Sequence, residues 1–228
     1  SSKNILFLDA DDYLNLKHFH KMLLYVKKSN YNFIYLNKKL VPQKKIKLSP
    51  YLKYNKKNLN KFFKNSNNMQ VISIIFKKKF LLKYSLKFQK GIFEDIFFIF
   101  KCHYFNTKKI GSFLHNIYVK RNNTKSITNS KKTIKHINFK FNAWKSIDKF
   151  LRENLSSKKI QNIKNDIQYR WRGEFYNEYK EVVNSNLSSM KKVIFVNHIK
   201  KLYKKLINER FVVNTTKDKL TKKKLFNV

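Results

Sequence analysis

Acid is what this sequence has least of. Only 13 Asp and Glu stand against 52 Lys and Arg in 228 residues, for a formal charge of +39. Five of the 13 precede Asp148, and they are Asp9, Asp11, Asp12, Glu94 and Asp95. From Tyr13 to Phe93, and again from Ile96 to Ile147, there is no carboxylate at all. A merely solvated surface would scatter its acids among its lysines, whereas here they gather in two spots. Cysteine is nearly absent too: the single Cys102 excludes an internal disulfide and, set in an apolar run, reads as core. No stretch approaches the roughly 18 apolar residues of a membrane span, and no signal peptide opens the chain, so a cytoplasmic protein is expected. Gly (3) and Pro (2) are scarce while Lys, Asn, Ile, Phe and Tyr abound, a joint bias that AT-rich codon usage produces without selection for nucleic-acid binding. Only five of the basic residues are Arg. The charge alone therefore names no partner, although so positive a field attracts phosphate-rich surfaces.

What is present is enough to fold. Apolar residues make up 42% and aromatics 16%, well above a disordered chain. The run Ile5 to Leu8 predicts a buried strand, ending abruptly in Asp9, Asp11 and Asp12, and polar groups at such a strand end sit where open α/β sheets bind ligands. Leu16, Phe19, Leu23 and Val26 predict an amphipathic helix over 16–28, capped by Asp12 or Asn15. Strands are expected over 31–36, 71–76 and 110–119. A helix and turn are expected over 77–88, and an apolar helix over 96–105, preceded by Gly91 and the pair Glu94-Asp95. Residues 37–70, rich in Lys and Asn with both prolines, read as an insertion with one short helix over 59–63. Residues 120–132 read as a polar loop. From 133 the pattern is helical: 136–151, 158–183 and 190–207, the last basic and amphipathic. The chain starts at Ser1 on the lead-in to what reads as a central strand, so a preceding portion is expected.

The two acid clusters suggest chemistry. A D-x-D at a strand end puts Asp9 and Asp11 on one side of a short turn, where they can share a hard divalent cation through oxygen ligands. Mg²⁺ or Mn²⁺ held this way keeps positions open for substrate phosphates. At the start of a helix, Glu94-Asp95 can supply a general base for an attacking hydroxyl. The competing reading is structural: Asp12 caps a helix, and Glu94-Asp95 favour a helix N-terminus.

The ordered strings FLDADDYL, FQKGIFEDIFF and IYVKRNNTKSIT resemble the second half of the family 2 glycosyltransferases, including bacterial enzymes of capsule and lipooligosaccharide synthesis. The likeness covers about residues 3–128. It implies an α/β fold, the C-terminal half of a GT-A nucleotide-sugar transferase with a mixed sheet flanked by helices over 1–132, followed by a helical extension over 133–228. It implies that Asp9 and Asp11 contact the donor ribose and a Mn²⁺ or Mg²⁺ ion on its diphosphate, with Asp12 in support. Asp95, beside Glu94, is similar to the base of inverting transfer, and Arg121 and Ser126 match the loop that closes over the diphosphate. Some relatives place a metal-binding His in that loop, where this chain has Asn122 and Asn123. Processive members carry Q-x-x-R-W; Gln168, Arg170 and Trp171 give only Q-x-R-W, so a non-processive enzyme is expected. The resemblance further implies a nucleotide-sugar donor, a glycan or lipid-linked acceptor, and a missing nucleotide-binding half, without which this piece is expected to be inactive.

Two rivals stand beside this reading. A D-x-D strand end is also the nucleophile motif of HAD-type phosphatases, which expect Thr or Val where this chain has Tyr13. A basic module on nucleic acid or membrane could use interleaved Tyr and Phe for stacking, yet no nucleic-acid motif is recognisable and no specific nucleic acid is expected. His18 and His20, two apart on a helix, cannot share a metal, and His115 on its strand is expected to be structural or exposed. Trp144 and Trp171 read as helix-packing residues. The helical tail is expected to brace the catalytic domain or to lie peripherally on an anionic inner membrane face.

Overall fold

The computed structural model describes residues 2–41, 70–91, 93–121 and 133–206, which divide into two compact units. The first holds a five-stranded mixed sheet of β1 (Asn4–Leu6), β2 (Tyr13–Leu14), β3 (Phe33–Val41), β4 (Ile74–Lys77) and β5 (Gly111–Arg121), in the order β1-β4-β3-β5-β2. Neighbours β3 and β5 run parallel, and every other pair is antiparallel. It follows that β1, β3 and β5 point the same way and finish at one edge of the sheet. Among the described residues, three α-helices belong to this unit: α1 (Phe19–Lys28), α2 (Lys78–Lys83) and α3 (Glu94–Phe105).

Side chains alternate across a strand with period two. Ile34, Leu36, Ile75, Phe113 and Ile117 accordingly share one core with Met22 and Val26 of α1. On the other face, the Phe33 ring meets Phe80 of α2 and His103 of α3, and Phe76 meets Phe98 of α3. Covering both faces makes 33–36 of β3 and 74–76 of β4 read as unbroken apolar runs in sequence. Cys102 is buried in this core, as expected, and burial pushes its thiol pKa up.

Several expectations are corrected. The strand over residues 5–8 is shorter and lies at the sheet edge, with Leu8 47% exposed, because the chain must turn out of the sheet to carry the acids. The third strand does not stop at Leu36: a parallel ladder to β5 extends it through Val41. Helix 16–28 opens as a separate 3-10 turn, Leu16–His18, capped by the Asn15 side chain. Its buried positions are Met22 and Val26, while Leu16 and Leu23 face outward. The fourth strand begins at Ile74, after a turn in which Ser73 takes φ 64°. The expected helix over 59–63, the rest of the insertion from residue 42 and the loop over 122–132 lie outside the described residues.

The second unit contains α4 (Ile134–Asn154), α5 (Ser157–Val183) and α6 (Ser189–Leu206), together with Gly91 and Phe93. Apolar residues three or four apart form its core: Ile137, Phe141, Trp144, Ile147 and Leu151 from α4, Ile163, Ile167, Trp171 and Phe175 from α5, and Phe195, Ile199 and Tyr203 from α6. Both tryptophans are packing residues, as expected. Thr133 caps α4 in a reciprocal box with His136, which explains why that helix starts two residues before the expected 136.

Candidate functional site

Leaving β1, the chain crosses the strand ends and enters β2 at the far edge, so residues 7–12 lie over the finish of the parallel strands. Phe7 anchors the crossing, its ring packing edge-on against Phe88 and Phe98 of α3 at 5.1 and 6.1 Å. The turn closes with the Asp12 N–H donating to the Asp9 carbonyl at 3.0 Å. Past it, Tyr13 and Leu14 pair with Val119 and Tyr118 of β5.

Asp12 is buried and fully committed. Its Oδ2 accepts from the Tyr118 hydroxyl at 2.6 Å and its Oδ1 from the Arg121 backbone N–H at 2.9 Å. The same hydroxyl accepts from the Asp9 N–H at 3.2 Å, so Tyr118 ties both ends of the acid turn to β5. Burial, followed by the bond to Asp12, raises the Tyr118 pKa. Asp12 therefore does not cap the following helix, whose first turn is capped by Asn15; its carboxylate instead locks the acid turn.

Three carboxylates result in one place. One oxygen from each of Asp9, Asp11 and Asp12 lies within 4.8 Å of the others, the sole such grouping of metal-ligand side chains among the described residues. Oxygen donors so crowded suit a hard cation such as Mn²⁺ or Mg²⁺. Asp9 bears the electrostatic consequence: desolvation raises its pKa, then Asp12, Asp11 and Glu94 add to the rise while Lys120 opposes it. Glu94 thus contributes, as the smallest of these causes, to the charge around Asp9.

Glu94 and Asp95 open α3, as the sequence predicts. Burial, then the neighbouring Glu94 charge, pushes the Asp95 carboxyl up to about 6, against backbone hydrogen bonds that include one with Val71. The residue just before them, Phe93, sits at φ 66°, a left-handed conformation that costs a non-glycine residue about 1–2 kcal/mol. Arg121 sits at the end of β5, its guanidinium carbon 5.1 Å from the Tyr13 ring centroid. The structure thus gathers Asp9, Asp11, Asp12, Arg121, Glu94 and Asp95; Ser126, Asn122 and Asn123 lie outside the described residues.

Two participants went unassigned in the sequence. Tyr118 is the Tyr of the Y-x-x-R string, so its signal was present. Lys120 had none. β5 also bulges: Leu36 opposes Phe113 but Asn37 opposes Asn116, which leaves Leu114 and His115 extruded. The bulge advances Tyr118 toward the acid turn, a common use of bulges beside sites. It also stacks His115 on His18 at 4.3 Å, a pair that helix spacing could not reveal.

A curled mixed sheet flanked by helices, with an acid turn at its strand ends, is a glycosyltransferase-like fold. No family model matches the sequence, and neither does any curated protein. Solved structures do match: S. aureus TarS 1-349 in complex with UDP-GlcNAc agrees with a TM-score of 0.61 at 14% identity, over 89% of this chain and 57% of that one. Its complex with UDP gives 0.56 at 13% identity, over 86% of this chain and 54% of that chain. At such identity the likeness is one of fold, and this chain spans little more than half the length of TarS 1-349.

Proposed function

We propose that this chain belongs to a metal-dependent, inverting, non-processive glycosyltransferase of the family 2 type. It would move a sugar from a nucleotide-sugar donor to a glycan or lipid-linked acceptor in bacterial surface polysaccharide synthesis. The observation that carries the reading is the grouping of the Asp9, Asp11 and Asp12 carboxylates in one turn, beside which Glu94-Asp95 open α3 of the same unit. The likeness to TarS bound to UDP-GlcNAc supports the donor class.

In this reading Asp9 and Asp11 hold the cation, and Asp12, fixed by Tyr118 and Arg121, keeps the turn in shape. A Mn²⁺ or Mg²⁺ ion held by Asp9 and Asp11 would supply positive charge for the leaving diphosphate. Arg121 and Ser126 orient that diphosphate. Asp95 takes the proton of the acceptor hydroxyl, whose oxygen attacks the anomeric carbon opposite the leaving group; the anomeric C–O bond breaks and the configuration inverts. Burial, and after it the Glu94 charge, makes the Asp95 carboxylate basic enough for this step. The helices of residues 133–206 form the second unit, in addition to this catalytic part.

Membrane contact is assigned to α6. Met190, Val193 and Ile194 are 77%, 58% and 46% exposed, beside a series of lysines and no acid. This suits an anionic cytoplasmic leaflet, where lipid-linked acceptors reside. No helix among the described residues is long and apolar enough to cross a membrane.

The test is separation of binding from transfer in the full-length protein, using a panel of UDP-, GDP- and CMP-sugars with Mn²⁺. Asp11→Asn is expected to weaken metal-dependent donor binding by at least about tenfold. Asp95→Asn should leave donor binding intact and lower transfer by roughly 10²–10⁴. Equal loss of binding in both, or full activity in either, overturns the roles.

A further inference from the structure

A second pocket opens at the opposite edge of the sheet. It measures about 500 Å³ and is lined by Tyr25, Lys28, Ser29, Asn30, Tyr31, Lys108 and Lys109. These residues close α1 and lead into the starts of β3 and β5, whereas the acid turn lies where those strands end. Nine residues of β3 separate the two levels, roughly 25–30 Å at a strand's rise per residue.

The pocket is built for an anion that carries a ring. Lys28, Lys108 and Lys109 line it, and none of the five acids of this unit does. The cations there are held by neutral acceptors: Lys108 Nζ donates to Asn30 Oδ1 and Lys77 Nζ to the Ser29 carbonyl at 3.1 Å. They also crowd one another, since burial and then the Lys108 and Lys79 charges lower the Lys77 pKa. A doubly charged phosphoryl group would relieve that repulsion and accept several charge-assisted hydrogen bonds.

The apolar wall is fixed in advance. The Tyr25 and Tyr31 rings pack 6.2 Å apart, and Tyr25 also packs on Phe113 at 5.6 Å. Tyr31 lies directly over Gly111, where a Cβ would come within 2.6 Å of its ring. We infer that this pocket is a second ligand site, taking the phosphate monoester of a ring compound, with the phosphoryl group among Lys28, Lys108 and Lys109 and the ring against Tyr25 and Tyr31. The volume suits a small ligand of that kind.

Calorimetric titration in EDTA at constant ionic strength, with phenyl phosphate, inorganic phosphate and phenol, tests this site apart from the metal-dependent one. Phenyl phosphate is expected to bind saturably and several-fold tighter than inorganic phosphate, with phenol giving no measurable heat. The double variant Lys28→Gln/Lys109→Gln, which removes no hydrogen bond described above, should weaken binding by about tenfold or more. Asp11→Asn should bind phenyl phosphate as the parent does. Absence of saturable binding, equal affinity for phenyl and inorganic phosphate, or an unchanged constant in the double variant would each overturn the assignment. Loss of binding in Asp11→Asn would return the ligand to the acid cluster and also overturn it.

Discussion

Folding lifts the Asp95 carboxyl from 3.8 to about 6, so the native state binds its proton more tightly than the unfolded chain does. Stability from this residue is therefore unaffected below about pH 4, declines as pH rises between the two values, and stays reduced above pH 6. Two pH units correspond to roughly 1–3 kcal/mol. Asp95→Asn is expected to raise the melting temperature at pH 7.5 and to leave it unchanged at pH 3.5, while transfer is lost. In the parent, transfer should climb with pH through about 6 as the base ionises. An equal gain in stability at both pH values would show that Asp95 is not the strained group. At this scale the sequence was readable where composition made residues conspicuous, since five acids on a basic background draw notice one by one. Tyr118 was quoted in its motif yet given no task, because a hydroxyl that holds a turn has no spacing rule of its own. His18 and His115 meet only because β5 bulges, and bulges leave no pattern in a strand of mixed polarity.

Helices were legible because their apolar faces repeat over many turns; strand limits were not, because pairing decides them. Thus α5 runs over Ser157–Val183 against an expected 158–183, but β3 outruns its apolar stretch by five residues, drawn on by the ladder to β5. Long-range contacts such as this are invisible in a local window. Inside the helical unit the period also hid a polar network. Lys140 of α4 pairs with Glu174 and Glu178 of α5 at 2.6 and 2.8 Å, and Arg170 reaches Glu174 at 2.7 Å. Burial presses the Lys140 ammonium down, yet the two carboxylates outweigh it and its pKa is raised. Removing the cation takes away the ammonium that both nearly buried carboxylates share and leaves Glu174 to Arg170. Lys140→Met is expected to destabilise the unit by about 3–5 kcal/mol, read from the urea midpoint. Adding Glu174→Gln and Glu178→Gln should restore most of that loss. A single variant that melts like the parent would show that the network contributes no stability.

For the whole molecule, the order of three weak motifs along the chain carried the fold class into the sequence reading, and their ends converge on one side of the sheet. What the pattern could not convey was the path between them, where the chain crosses from one edge strand to the other with the acids on top. The overall charge of +39 makes that crossing unusual for a cation. Elsewhere lysine repels divalent ions, and among the described residues only Asp9, Asp11 and Asp12 group as metal ligands. Stabilisation by Mn²⁺ should therefore report on this one site with little background. A ligand that binds only the native state at about 100 times its dissociation constant adds about 2.7 kcal/mol, which for a chain of this size raises the melting temperature by roughly 5–10 °C. The shift should saturate with Mn²⁺, reverse with EDTA, vanish in Asp11→Asn and persist in Asp95→Asn. It should also persist in Lys28→Gln/Lys109→Gln, whose altered pocket lies at the far edge. A shift that survives Asp11→Asn would place the cation elsewhere and remove the metal from the proposed mechanism.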